Sequence, residues 1–288
     1  MTSKQPDACP AEAGFTLTDD VRTASMVWQR ELLRYLRTPS RIVTGVVQAV
    51  LYLFVLGYGL SALLGTSSVV GTPSELTKFM FPGILAMSIV STSTLSAISI
   101  VWDREFGFLR EMLVAPVRRA WLVVGKLVGG ASIATAQAAV LLLLAPAIGL
   151  GMPAWTAVAL LGATALTALV MTSFGVLIAS YMTKMEGFQV VMQLVLLPMI
   201  FLSGATFPLQ GLPQWLLSLT KWNPLTYAVS ALRETALAGS DGSKLLNRYP
   251  PAVDLFGQTL TVVQELGIVL ALTAVFTGWA VLGFSRAR

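Results

Sequence analysis

An all-α integral membrane protein is the fold class this sequence predicts, on three observations. Of its 288 residues 55% are hydrophobic and 11% charged, where soluble domains carry about 25% charge. Six stretches are apolar over the roughly 20 residues that a spanning helix needs. Lys and Arg divide unevenly between the loops those spans create. No long polar linker separates the apolar runs, so one integral domain is expected behind a polar tail.

The tail, residues 1–19, has no basic start followed by an apolar core, and it holds Pro6, Asp7, Pro10 and Glu12. It reads as a disordered cytosolic segment and not as a signal peptide. The integral domain then takes residues 20–288. Its first element, VRTASMVWQRELLRYLR, sets Val21, Ala24, Trp28, Leu32 and Tyr35 on one side. Arg22, Arg30, Arg34, Arg37 and Arg41 gather on another. That pattern predicts a basic amphipathic helix in the inner membrane interface, ended by Pro39.

The six spans are predicted at Ile42–Leu64, Phe79–Val101, Leu122–Leu150, Trp155–Met182, Phe188–Phe207 and Val262–Phe284. With the N-terminus inside, 14 of the 19 Lys and Arg residues face the cytosol and 5 the outside, as the positive-inside rule requires. An even number of spans returns the C-terminus to the cytosol. All seven tryptophans fall near predicted boundaries, as an aromatic belt would.

Between spans two and three lies the most charged stretch, WDREFGFLREMLVAPVRRAW. Trp102, Phe106, Leu109 and Leu113 share one helical face, while Gly107 and Pro116 punctuate the segment. Two readings fit. A membrane anchor explains Arg110, Arg118 and Arg119; docking to a soluble partner explains why Asp103, Glu105 and Glu111 are mixed in.

Between Phe207 and Val262 no run is long enough to span. Gln214–Thr220 is too short, and Leu225–Ala238 carries Arg233 and Glu234. Two short helices, begun near Pro213 and Pro224, are expected to re-enter the outer leaflet, as an external gate or as a surface cap.

Polar groups inside the spans are few. Ser88, Thr92, Ser96 and Ser99 lie near one face of span two, suited to close helix packing or to a polar cavity wall. Gln48 and Tyr52 on span one, and Gln189 and Gln193 on span five, are costly in lipid and are expected to face protein or a cavity. With Ser96 they are substrate-path candidates. Glu265 joins them, as a partner for a cationic substrate or as an acid held near the outer interface by its helix N-terminus. Pro198 is expected to kink span five.

Histidine is absent and Cys9 is the only cysteine. No catalytic, metal or disulfide site is therefore expected. A phosphate loop would need G-x-x-x-x-G-K-[ST]. Gly125-Lys126 comes nearest, but Leu127 follows and Ala120 stands at the first glycine position. This chain is expected to carry no cofactor and to hydrolyse no ATP.

Asp103–Pro116 (DREFGFLREMLVAP) resembles the cytosolic coupling helix of ABC type-2 permeases. LSGATFPLQGLP (Leu202–Pro213) and WNPLTYAVSALR (Trp222–Arg233) resemble that family's segment after the fifth span. With the interfacial helix, the likeness covers about residues 20–288 and is nearest to the daunorubicin-resistance type of drug-export permease. It implies a six-span permease subunit of an ATP-driven exporter in a bacterial inner membrane. Asp103, Arg104, Glu105, Phe106, Gly107, Leu109, Glu111 and Pro116 would form the coupling helix. Phe207, Pro208, Pro213, Asn223, Pro224 and Tyr227 would form the external gate.

The implied partners are two copies of a cytosolic ABC ATPase, which hold ATP and Mg, a second permease copy, identical or not, and membrane lipid. Nucleic acid is not among them. The expected cargo is a hydrophobic or amphiphilic compound, drug or lipid, hence multidrug efflux and antibiotic resistance. The alternatives are an exporter of lipid-linked glycan and a stand-alone secondary transporter, although no internal repeat of the latter kind is evident.

Overall fold

The computed structural model describes residues 17–55, 59, 73–107, 119–206, 213–238, 254–255 and 258–286. These form helices α1 (Leu17–Leu36), α2 (Pro39–Phe54), α3 (Pro73–Glu105), α4 (Arg119–Leu142), α5 (Ala154–Tyr181), α6 (Met185–Leu202), α7 (Gln214–Trp222), α8 (Pro224–Ala238) and α9 (Val262–Arg286). A two-residue antiparallel ladder, Asp254–Leu255 with Gln258–Thr259, precedes α9.

Among the described residues five helices, α3, α4, α5, α6 and α9, are long and apolar enough to cross a membrane. The expected first span corresponds to α2, which is described over the 16 residues Pro39–Phe54; Leu64 lies outside the described residues. Pro39 occupies the first turn of α2, where a missing N–H costs nothing, and so it separates α2 from α1. The helix α1 begins at Leu17, inside the expected tail. The third span is shorter than expected: α4 stops at Leu142, and a 3-10 turn at Ala145–Ile148 contains Pro146 and closes on Gly149 at φ 73°. Pro198 lies within α6, and Pro82 lies within α3.

The helix α5 is the centre of the bundle, touching α3, α4, α8 and α9. Its residues are apolar or small on every side, as a helix enclosed by others requires. Thr172 donates to Ser93 of α3 at 3.1 Å, so hydroxyls fasten these two spans. By contrast, α6 and α9 leave most of their apolar surface outside the bundle. Phe79 and Asp103 lie near opposite ends of α3, separated by about 36 Å at 1.5 Å per residue. That exceeds the roughly 30 Å of a bilayer core.

The helix α1 is not simply laid on a surface. It packs along α4, with Gly125 and Gly129 at the contact. A Cβ on Gly125 would come within 2.8 Å of the Ala24 carbonyl oxygen, so only glycine admits so close a helix. Trp28 donates its indole N–H to Ser132 at 3.2 Å. The side toward α4 is therefore Ala24, Trp28, Glu31 and Tyr35, while Met26, Leu33 and Leu36 stay exposed. The Gly125-Lys126 pair that imitates a phosphate loop is the seat of this helix.

Candidate functional site

The triplet Asp103-Arg104-Glu105 forms the last turn of α3, and Gly107 follows at φ 81°. That left-handed turn ends the helix, so the expected helical face from Trp102 through Leu113 is interrupted there. Phe106 is exposed at the turn. Leu109, Glu111 and Pro116 lie outside the described residues.

Each charge of the triplet is spent on a different neighbour. Asp103 accepts a short charge-assisted bond from Lys126 of α4. Lys126 also reaches Ser99 at 3.3 Å and Glu31 of α1 at 3.8 Å. Arg30 closes the cluster, 3.3 Å from Glu31 and 3.4 Å from Asp103. Arg104 donates to the carbonyls of Ser180 and Met182, at 2.9 and 2.8 Å, satisfying orphan acceptors at the C-terminus of α5. Glu105 accepts the Met185 N–H at 3.0 Å, satisfying an orphan donor where α6 begins. Within this chain the three charges join α3 to α4, α5 and α6, with Asp103 buried, Arg104 half-buried and Glu105 exposed. Proximity of helix ends, which sequence spacing does not encode, is the reason.

Beside this joint is a cavity of about 210 Å³ between α1, α2, α3 and α4. Gln48, Tyr52 and Ser96 line it, so three of the expected path residues come together. Gln48 donates to the Tyr52 hydroxyl at 3.3 Å. At the back, Gln137 of α4 accepts from Tyr35 and Thr92, both at 2.9 Å, and donates to Ser88 at 3.3 Å. The hydroxyl face of α3 thus serves both expected purposes: Ser88 and Thr92 bond to α4 and also wall the cavity, while Ser99 goes to Lys126. Arg34 and Arg41 stand on the α1–α2 side, Arg34 with its guanidinium 5.2 Å from the Trp102 ring. Burial raises the Tyr35 phenol above its ordinary range, and the Arg41 charge acts against that rise. Gln137, Arg34 and Arg41 were missed as site residues. Gln137, an amide inside an apolar span, was the available signal.

Gln189 and Gln193 are exposed on α6 and do not reach the cavity. Glu265 does not reach it either; it is fully buried at the other end. Ser230, Glu234 and Arg233 of α8 surround it, yet neither carboxylate oxygen has a hydrogen bond of ordinary geometry among the described residues. It lies in the first turn of α9, as expected of an acid near a helix N-terminus, and is closed off from solvent.

That other end is built from the two expected short helices. Pro213 caps α7, its carbonyl accepting from Leu216 and Leu217 at 3.0 and 3.1 Å. Asn223 donates to the Met199 carbonyl at 2.7 Å and accepts the Leu225 N–H at 3.0 Å, so it ties the end of α6 to the start of α8. Pro224 opens α8, and Tyr227 donates to the Lys221 carbonyl at 2.7 Å. Arg233 donates to the Gly204 carbonyl at 2.6 Å and lies 4.1 Å from the centre of the Phe79 ring. The helix α8 packs against α3, α5 and α9; it is enclosed by the bundle and not a surface cap. Phe207 and Pro208 lie outside the described residues.

The ABC-2 type transporter family matches residues 23–237. Nodulation protein J of Rhizobium leguminosarum bv. viciae is 28% identical over 73% of this chain and 81% of its own length. The inner membrane transport permease YadH of Escherichia coli K12 is 26% identical over 75% and 83%. The probable multidrug ABC transporter permease YbhR of the same strain is 29% identical over 55% of this chain and 44% of its own length. The family match covers both the triplet and the α7–α8 segment, and the chain belongs to the ABC-2 type transporter family of membrane permeases.

Proposed function

We propose that this chain is the permease subunit of an ATP-driven exporter in the inner membrane, with α1 at the cytosolic end and α8 at the external end. The observation that carries the reading is the triplet fastened to three spans at once. A push on residues 108–116, delivered by a cytosolic ATPase, would pass through Asp103 to α4, Arg104 to α5 and Glu105 to α6. The 14-to-5 division of Lys and Arg supports this orientation. Two ATPase copies and a second permease copy complete the machine, and the apolar surfaces left outside the bundle on α6 and α9 suit lipid or that second copy. The α7–α8 pair is the external gate.

The cavity around Gln48, Tyr52 and Ser96 is the part of the substrate path held within this chain. Its cargo is a hydrophobic or amphiphilic molecule. YbhR supports a drug by its description, and the apolar surfaces beside the cavity suit a lipid as well.

The test is purification of the tagged chain from its native membrane, followed by ATP-dependent uptake into inside-out vesicles. Wild type should bring down a soluble ATPase carrying a phosphate loop. Glu111→Arg should weaken that capture, whereas Arg104→Gln should keep the partner and lower transport. A chain that emerges alone, or an Arg104→Gln variant with full transport, would overturn the reading.

A further inference from the structure

The cavity has a mismatch of charge that its internal bonds leave unanswered. Among the described residues Glu31 is the only carboxylate in its lining, and Lys126 and Arg30 already flank that group. Two arginines, Arg34 and Arg41, remain on the wall. Arg34 rests on the Trp102 ring. The Arg41 side chain has no hydrogen bond or carboxylate partner among the described residues, and the same residues leave the hydroxyls of Ser40, Thr44 and Ser96 without one. An arginine fork that shares its cavity with hydroxyl donors has the chemistry to bind the oxygens of a phosphate or sulfate.

The second observation is the outer wall of α2. Val43, Val47 and Leu51 form an exposed apolar stripe that borders Thr44, Gln48 and Tyr52. Arg41 lies in the first turn of α2, and Tyr52 lies about 16 Å deeper at 1.5 Å per residue. A molecule with its charged head at Arg41 would therefore lay its chain along this stripe, near the middle of a bilayer core of about 30 Å.

We infer that the cavity holds the anionic head group of a single-headed amphiphile of the phosphate or sulfate type, seated on Arg41 with its chain along α2. This rests on the reading of the cavity as the substrate path and narrows it to an anionic amphiphile. Neutral hydrophobic compounds lack the group that Arg41 would bind, and cations are repelled.

The test is native mass spectrometry of the permease complex mixed with equal amounts of dioleoyl phosphatidate, dioleoyl phosphatidylcholine and dioleoylglycerol. Phosphatidate should be retained at least about tenfold over the other two, since one charge-assisted bond is worth about 1.5–3 kcal/mol. Arg41→Gln should remove that preference, while Arg41→Lys, which keeps the charge, should retain most of it. Equal retention of the three lipids, or a preference unchanged in Arg41→Gln, overturns the inference. Release of phosphatidate by inorganic phosphate would make a soluble anion the occupant and overturn the amphiphile. The parent reading is judged separately: a Gln48→Leu, Tyr52→Ala variant with full transport would remove the cavity from the path whatever the lipid preference.

Discussion

At the α1 end, the buried Lys126 ammonium meets Asp103, Glu31 and Ser99. At the α8 end, the buried Glu265 carboxylate finds no hydrogen bond of ordinary geometry among the described residues, while Arg233 beside it turns to the Gly204 carbonyl and the Phe79 ring. Both charges lie within a turn or two of a span's end. A saturated cluster resists opening, because removing any member strands the others in a low dielectric. A charge without its bonds adds nothing that must be broken when its helix moves. The contrast is between a saturated charge cluster at one end and, at the other, a buried carboxylate set among helices held by Asn223 and Arg233.

Lys126→Met should break the saturated end most severely. It leaves Asp103 and Glu31 buried near each other with only Arg30, so a loss of about 3–5 kcal/mol is expected, read by denaturation in mild detergent. Adding Asp103→Asn should recover a good part of it; a single variant as stable as wild type would mean that the cluster is not a joint. Arg233→Met should cost less, about 1–3 kcal/mol, because it strands the Gly204 carbonyl and loses the ring contact. Asn223→Ala removes both bonds that tie α6 to α8 and should cost about 1–2 kcal/mol, with faster proteolysis between α6 and α8 as its signature. Glu265→Gln should cost the least, within about 0.5 kcal/mol or on the stabilising side, because it replaces a buried carboxylate whose oxygens have no hydrogen bond of ordinary geometry among the described residues. A loss as large as that of Lys126→Met would show the two ends to be alike.

A second contrast separates helices of similar composition. The apolar windows of α3 and α6 have mean hydropathies of 1.9 and 1.7, yet 72% of the first and 17% of the second are buried. The difference follows the small and hydroxylic residues: Ser88, Thr92, Ser93 and Ala97 let neighbours close on α3. Val190, Leu194 and Leu197 give α6 an outward face. In lipid, where apolar surface has no reason to hide, small residues mark what is enclosed.

The site was legible in part. Gln48, Tyr52 and Ser96 could be picked out because an amide or hydroxyl inside a span needs a partner or a cavity. The same argument pointed to Gln189 and Gln193, which the bundle leaves exposed, because helical spacing shows which residues share a face but not where the face looks. Arg34 and Arg41 passed for ordinary interfacial arginines, since only the elbow between α1 and α2 brings them over the cavity.

From the sequence by itself came five of the six expected spans, the short proline-started helices α7 and α8, and the basic first helix. Each follows from free energies that add residue by residue along the chain, such as apolar transfer and proline's missing N–H. Only the tertiary structure decided where the charges of the triplet went, that Gly125 and Lys126 seat α1, and that Glu265 is enclosed. Those depend on which helix ends meet across the bundle, and pairing energy in a low dielectric is decided by distances that no linear pattern records.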